Sequence, residues 1–379
     1  MKYFVTLTGG KNNAGDFLIK HRAHSLLSKL RPDRALKDFD AWRLIDEEKL
    51  EVINNSEALL LTGGPSLQKN MYPGIYNLGD DLDKIKVPII SLGIGWKSLN
   101  GDWKDIENYP MSSTSMTLIK KMGEHSYNNS VRDYHTMHVL QNFGVSNVRM
   151  TGCPALYDSD FIETPLQSGA QKKVKFSLGV GFIKSKRMNE VFKKLILSLN
   201  KRFEQSDYEV IFHHSVSSSF LKTPGASKKL YLKNVEFLDW LKENGIKYRD
   251  ISGSAENLMD CYKDCDLHIG YRVHAHIFMT SISKPSILIA EDGRGKALRS
   301  VIGGLIFDGY TSHLDSILHK LLFRLNIQLD PFVIDYDLVD LIEKSIEAEV
   351  DQGLPRMNSV MKLRNNHYEV MKSYIEQLP

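Results

Sequence analysis

The segment Gly270-Tyr271-Arg272-Val273-His274-Ala275-His276 places a guanidinium two residues before an imidazole, where an apolar run gives way to a helical pattern. A guanidinium can hold a carboxylate or phosphate through two parallel hydrogen bonds, and an imidazole can deliver a proton beside it. Arg272 and His274 are therefore read as an anion clamp and a general acid at a helix N-terminus. His274 and His276 are two apart, point to different helix faces, and are poorly placed to share a metal ion. A second guanidinium, Arg132, stands in Val131-Arg132-Asp133 at another strand-to-helix junction. It can clamp an anion in the same way, or pair with Asp133 to fix the start of the helix.

Glycine clusters accompany these residues. Gly9-Gly10-Lys11-Asn12-Asn13-Ala14-Gly15-Asp16 joins the first apolar run to the first helical pattern. Its glycines let backbone approach a ligand, and a helix N-terminus there offers N–H groups to an anion. No Gly-Lys-Ser/Thr follows, so it is not a Walker loop. Gly63-Gly64-Pro65-Ser66 and Gly93-Ile94-Gly95 end two further apolar runs. Gly10, Asn13, Gly15, Asp16, Gly63, Gly64 and Gly95 thus form a candidate floor for substrate. The spacings His21/His24 and His135/His138 could suit a metal, but no carboxylate or cysteine completes either, and no metal site is expected. His213-His214 ends a strand and is a candidate to line the same cleft.

The elements that must carry these residues alternate short apolar runs with longer amphipathic ones, the pattern of βαβ units and parallel sheets. Strands are predicted over 3–8, 58–62, 88–92, 129–132 and 147–151, with helices near 16–30, 115–122 and 134–143. Residues 163–175 lose the apolar pattern and read as a linker. A second series follows, with strands over 176–182, 209–213, 267–270 and 286–290 and helices over 189–203, 228–244, 255–265 and 273–281. The expected organisation is α/β, with a first Rossmann-like domain over 1–165, a second over 172–335, and C-terminal helices over 336–379 that pack back on the first. Two such sheets open their strand ends onto one crevice, where ligands of this architecture bind.

With 379 residues, 42% hydrophobic and 25% charged, the chain has ordinary globular composition and is long enough for two domains. Disordered and fibrous classes are excluded. A net charge of +3, from 49 basic and 46 acidic side chains, does not suit a nucleic-acid binder. The lysine-rich stretch over 172–202, echoed by Lys222, Lys228, Lys229 and Lys233, is a solvated helical face or a surface for anionic lipid or acceptor. Cys153, Cys261 and Cys265 form neither a disulfide framework nor a zinc pattern, which fits a reducing compartment. The N-terminal apolar run is too short for a signal peptide, and no window approaches the ~20 apolar residues of a membrane span. A cytoplasmic protein is expected, with work at the inner face of the membrane left open.

In this order the motifs resemble the polysaccharide pyruvyltransferase family. Asn13, Gly15 and Asp16 match its Asn-x-Gly-Asp. Gly63 and Gly64 match its Gly-Gly-Gly, with Thr62 in first place. A glycine pair after a proline-started strand, Val131-Arg132-Asp133, Thr151-Gly152-Cys153-Pro154-Ala155-Leu156 and Arg272-Val273-His274-Ala275 follow. Cys153 stands where the family usually has Asp. The resemblance spans roughly residues 4 to 310 and implies a GT-B-like fold, two Rossmann-like domains facing a central cleft.

It further implies transfer of pyruvate from phosphoenolpyruvate to two hydroxyls of a polysaccharide sugar, or of its lipid-linked precursor, as a ketal. No cofactor is implied. His274 would be the acid, with Arg272 and Arg132 as anion ligands and Gly270 beside the donor. The family's donor lysine falls at Arg294 or Lys296; Gly293 and Gly295 would let a loop fold out, which favours Lys296. The resemblance does not carry over to the acceptor region or to the oligomeric state. The rival readings are a GT-B-like glycosyltransferase using a nucleotide sugar and a non-catalytic sugar-binding protein.

Overall fold

Every residue of Ala58–Thr62 and of Ser286–Ala290 is buried, so neither segment has a face for water, and each must lie in the middle of a covered sheet. The computed structural model describes residues 2–10, 13–222, 227–313, 318, 321–322, 332–335 and 337–379. In it the first sheet contains β1 (Tyr3–Thr8), β2 (Ala35–Asp40), β3 (Ala58–Thr62) and β4 (Ile89–Leu92), all parallel, in the order β2-β1-β3-β4. The parallel pair β5 (Asn129–Val131) and β6 (Val148–Met150) extends it, with the Gly93 N–H donating to the Ser130 carbonyl at 3.0 Å. The crossings are α1 (Ala14–Leu30), α2 (Glu47–Asn54), α3 (Ser113–Gly123) and α4 (Tyr134–Asn142).

The second sheet contains β7 (Lys173–Ser177), β8 (Asp207–Phe212), β9 (Tyr248–Asp250), β10 (Leu267–Gly270), β11 (Ser286–Ala290) and β12 (Leu305–Asp308). They are parallel in the order β12-β11-β10-β7-β8-β9, joined by α5 (Lys186–Arg202), α6 (Lys228–Glu243), α7 (Ala255–Lys263), α8 (Val273–Ser281) and α9 (Gly293–Val301). This is the strand order of a dinucleotide-binding Rossmann sheet. The order reverses between β7 and β10 here and between β1 and β3 in the first sheet. At such points adjacent loops diverge and leave a crevice at the strand carboxyl ends.

Two sequence expectations are corrected. The strand predicted over 176–182 runs instead from Lys173 to Ser177 and takes in the end of the expected linker. Its lysine tolerates a central strand because the Lys175 ammonium is buried against the Glu209 carboxylate on β8 at 2.9 Å. The loop expected at 293–296 is the first turn of α9. Gly293 packs on Ser98 and Gly101, and Gly295 on Ala290, so these glycines serve close contact.

Two final helices, α10 (Leu338–Asp351) and α11 (Pro355–Glu376), complete the chain. On α11 the fully buried Arg364 donates to the carbonyls of Thr280 at 2.8 Å and of Phe161 and Ile162 at 2.9 Å, and to the Ser283 hydroxyl at 2.9 Å. Further along, the Tyr374 hydroxyl donates to the Ser91 carbonyl at the edge of β4 at 2.7 Å. One helix therefore fastens to both sheets. Across the cleft, the Gly293 N–H donates to the Ser98 carbonyl at 3.1 Å.

Candidate active site

The end of β10 is built around Gly270, whose φ of +146° and lack of a Cβ let it pass within contact of the Ser177 backbone on β7. The Ser177 carbonyl accepts from the Tyr271 N–H at 2.9 Å, and its hydroxyl accepts from the Arg272 N–H at 3.0 Å. The Arg272 Nε donates to the Leu178 carbonyl at 2.8 Å, which aims the guanidinium along the switch point. Arg272 is the N-cap residue of α8, and His274 follows in the first turn, buried.

The His274 ring reaches across to the first domain and lies against Gly15 at the start of α1, where a Cβ would overlap the imidazole. Asn13 caps that helix by accepting from the Gly15 N–H at 3.1 Å. Arg132 enters from the end of β5. Its N–H donates to the Ile94 carbonyl at 2.9 Å, its Nη2 to the Trp96 carbonyl at 3.2 Å, and its Nε to Asp133 at 3.3 Å. A Cβ on Gly95 would overlap this guanidinium, so the glycine makes its seat. Asp133 caps α4 by accepting from the Thr136 N–H at 2.7 Å. The two readings of Val131-Arg132-Asp133 thus coexist: the aspartate starts the helix while the arginine faces the cleft.

Arg294 completes the group from α9. The Asp292 carboxylate caps that helix and receives the Arg294 Nε at 3.0 Å and Nη2 at 2.7 Å. Lys296 lies elsewhere, its ammonium 3.9 Å from Asp308 on β12. The expectation that favoured Lys296 rested on an outfolded loop, and the helix puts Arg294 nearer the cluster.

Among the described residues, Arg132, Arg272 and Arg294 all bear on His274. Burial, then the charges of Arg294, Arg132 and Arg272, push its pKa down to about 3. The free site therefore holds a neutral imidazole within a positive surround. Burial also lowers the pKa of Arg272, and Glu291 beside it is raised by burial although Arg272 and the N–H groups of Val180 and Gly181 oppose this. For Asp292 burial acts upward, but the paired Arg294 outweighs it and holds the carboxyl below its ordinary range.

At the first switch point a cavity of about 160 Å³ is lined by Gly9, Gly10, Asp16, Lys20, Gly63, Gly64, Ser66 and Gln68, among others. Asp16 is raised by burial, opposed by Arg294, by a hydrogen bond with Asn13 and by Arg132. Of the glycine-loop candidates, Gly10, Asp16, Gly63 and Gly64 line this cavity, while Gly15 and Gly95 seat His274 and Arg132. His213 is buried with its Nε2 2.8 Å from the Tyr262 hydroxyl, and burial, then the charge of Arg272, holds its pKa well below the ordinary value. His214 is half-buried, and burial with the charges of Arg272 and Arg294 takes it down to about 3. His135 stacks between Trp96 and Trp103, at centroid distances of 5.0 and 3.9 Å. No group of three or more His, Cys, Asp or Glu among the described residues is placed to hold a metal ion, and no helix there is long and apolar enough to cross a membrane.

The model of the polysaccharide pyruvyl transferase family matches residues 13–293. The chain belongs to the polysaccharide pyruvyl transferase family. The matched span runs from the cap of α1 through Arg132, Arg272 and His274 and ends one residue short of Arg294. No curated protein sequence matches this family member. Among solved structures, an OtsA apo structure aligns with a TM-score of 0.50 at 9% identity, covering 100% of this chain and 99% of that one. A UDP-GlcNAc 2-epimerase from Neisseria meningitidis bound to UDP-GlcNAc gives 0.47 at 10%, over 92% and 100%. That of Methanocaldococcus jannaschii, in complex with UDP-GlcNAc and UDP, gives 0.47 at 13%, over 92% and 100%. At such identities the likeness concerns the fold alone, and this pyruvyl transferase family member has the GT-B-like arrangement of two Rossmann-like domains.

Sequence reasoning gave no role to Ser177, Glu291 or Asp292. Ser177 carried no signal, being an ordinary polar end to an apolar strand. The acidic pair Glu291-Asp292 directly after β11 was such a signal, since a strand end in this architecture faces the cleft.

Proposed function

We propose that the protein transfers pyruvate from phosphoenolpyruvate to two hydroxyls of a sugar in a surface polysaccharide or its lipid-linked precursor, forming a ketal. The observation that supports this most is the set Arg132, Arg272 and Arg294 around one buried, neutral imidazole. A small donor carrying both carboxylate and phosphate matches three guanidiniums. Its negative charge offsets theirs, and His274 then gains a proton. That proton passes to the methylene carbon of the enol as the C2 centre becomes oxocarbenium-like and a sugar hydroxyl oxygen bonds to it. The phosphate leaves C2 with its bridging oxygen, and the second hydroxyl closes the ring. One donor and one diol give one ketal and one inorganic phosphate. The guanidiniums stabilise the charge that gathers on the leaving phosphate. The scheme calls on no metal or organic cofactor, and it places the work in the cytoplasm, where phosphoenolpyruvate would be met.

The test is a melting-temperature comparison of phosphoenolpyruvate with a panel of nucleotide sugars, since a ligand that binds only the native state raises it. A shift with phosphoenolpyruvate alone is expected. A shift with a nucleotide sugar and none with phosphoenolpyruvate would turn the reading to glycosyl transfer.

A further inference from the structure

We propose that Asp16 is the base that removes the proton from the attacking sugar hydroxyl, and that the sugar sits in the first-domain cavity beside Ser66 and Gln68. This rests on the pyruvyl-transfer reading and adds to it a second catalytic residue and a place for the acceptor. Ketal formation releases a proton from each hydroxyl that bonds to C2. His274 supplies a proton to carbon in the same reaction and is unsuited to take one from oxygen at the same moment.

Asp16 meets the geometric need. It is the residue after Gly15, on which the His274 ring rests, so the first domain brings a carboxylate to the helix start that the second-domain imidazole touches. Its carboxylate lines the cavity formed by the glycine turns after β1 and β3. Asn13, not Asp16, caps α1, which leaves the Asp16 carboxylate outside the helix-starting role. Arg294 and Arg132 bear on it from the second and first domains, so it stands between the donor cations and the cavity. Burial raises its proton affinity, which suits a carboxylate that must accept a proton.

The cavity itself suits a sugar. Its floor is glycine backbone, and Gln68 contributes an amide to its wall. Ser66 is buried, and its hydroxyl faces the Tyr76 phenol without a well-formed hydrogen bond, so it can bond an incoming hydroxyl. Lys20, also in the lining, has its ammonium committed to Asp38.

The proton balance is complete. The hydroxyl O–H bond breaks, its oxygen pair forms the bond to C2, and the proton goes to an Asp16 oxygen. The departing phosphate takes that proton from Asp16, and the proton of the second hydroxyl replaces the one His274 gave to carbon. The two protons lost by the diol are thus matched by one on the methyl carbon and one on phosphate.

Phosphate release from phosphoenolpyruvate is measured with p-nitrophenyl glycosides of galactose, glucose, mannose and N-acetylmannosamine as probe acceptors. Wild type is expected to release phosphate with at least one of them. Asp16→Asn should lower kcat by at least about 100-fold, in the range for loss of a general base, while phosphoenolpyruvate still raises its melting temperature as in wild type. Asp16→Ala should regain part of its turnover on addition of formate, a response that a structural role would not give. Ser66→Ala should raise the acceptor KM at least threefold and leave the donor KM unchanged. Release with none of the four glycosides would overturn the pyruvyl-transfer reading itself. Turnover by Asp16→Asn within fivefold of wild type, loss of its donor binding, or absence of formate rescue would overturn the inference alone.

Discussion

The imidazole of His274 rests on the backbone of Gly15, one residue belonging to each domain, and a Cβ at position 15 would overlap the ring. The imidazole proposed as proton donor, carried by one domain, is thus located by the helix start of the other. Gly15→Ala forces the ring or the helix to move, and a displacement of about 1 Å at a reacting group can cost about 100-fold in rate. The α1 cap at Asn13 is untouched. The expected result is a kcat at least about 30-fold lower with a melting temperature within a few degrees of wild type, measured by phosphate release and thermal unfolding. A fully active Gly15→Ala enzyme would show that the contact plays no part in turnover.

Arg294 and Lys296 differ in where α9 points them. Arg294 bears directly on His274, whereas Lys296 lies toward Asp308. Loss of a hydrogen bond to a charged group costs about 1.5–3 kcal/mol, or roughly 10- to 150-fold in kcat/KM for the donor. Arg294→Met should fall in that range and Lys296→Met within about threefold of wild type. The opposite ranking would mean that α9 reorients when the donor binds.

The parts of this fold legible in the sequence are the central ones. β1, β3, β10 and β11 are almost wholly buried, and their apolar runs announce them. The edge strands β2, β9 and β12 escape that reading because their outer faces meet water, as in the Ala-Leu-Lys-Asp-Phe-Asp of β2. β7 was displaced in the sequence reading because Lys175 looked like linker, and only the partner on β8 explains its burial. In the site, Arg132, Arg272 and His274 were visible from their places at strand ends. The choice between Arg294 and Lys296 was not, because it depends on helical phase in a turn that two glycines disguise. Gly15 and Gly95 were singled out as substrate floor, whereas each makes room for a side chain from elsewhere, a relationship that spacing along the chain does not encode.

Arg364 gives a stability prediction independent of catalysis. Its guanidinium is fully buried and pKa-lowered to about 10 by burial, against the charge of Asp158 and Glu163. It satisfies carbonyls of Thr280, Phe161 and Ile162, which join α8 to the segment after β6. Arg364→Met leaves the Ile162 carbonyl without its donor, while the Thr280 and Phe161 carbonyls lose one donor each and keep the N–H groups of Ser283 and Thr164. A buried unpaired oxygen costs about 1–3 kcal/mol. A fall in melting temperature of about 5 °C or more is expected, with donor KM close to wild type in the protein that remains folded. An unchanged melting temperature would mean that water replaces the guanidinium without loss.

In the folded chain His274 is depressed to about 3 and His276 to about 4, mainly by burial, against about 6.5 in an unfolded chain. Between those values the unfolded state binds more protons, so stability must rise with pH. The stabilisation is complete above about pH 6.5 and is lost as pH falls toward 4. Removing one such group in His274→Gln should flatten the slope of unfolding free energy over this window by up to about 1.4 kcal/mol per pH unit. Donor binding offsets part of this: negative charge set among Arg132, Arg272 and Arg294 relieves the repulsion that adds to burial in keeping His274 neutral. Binding of phosphoenolpyruvate near pH 7 should therefore take up a proton that His274→Gln does not take up. Calorimetry in buffers of differing ionisation heat measures the difference between the two proteins, which cancels the donor's own titration. An equal proton count for both would remove His274 as the group that carries the proton to the enol carbon.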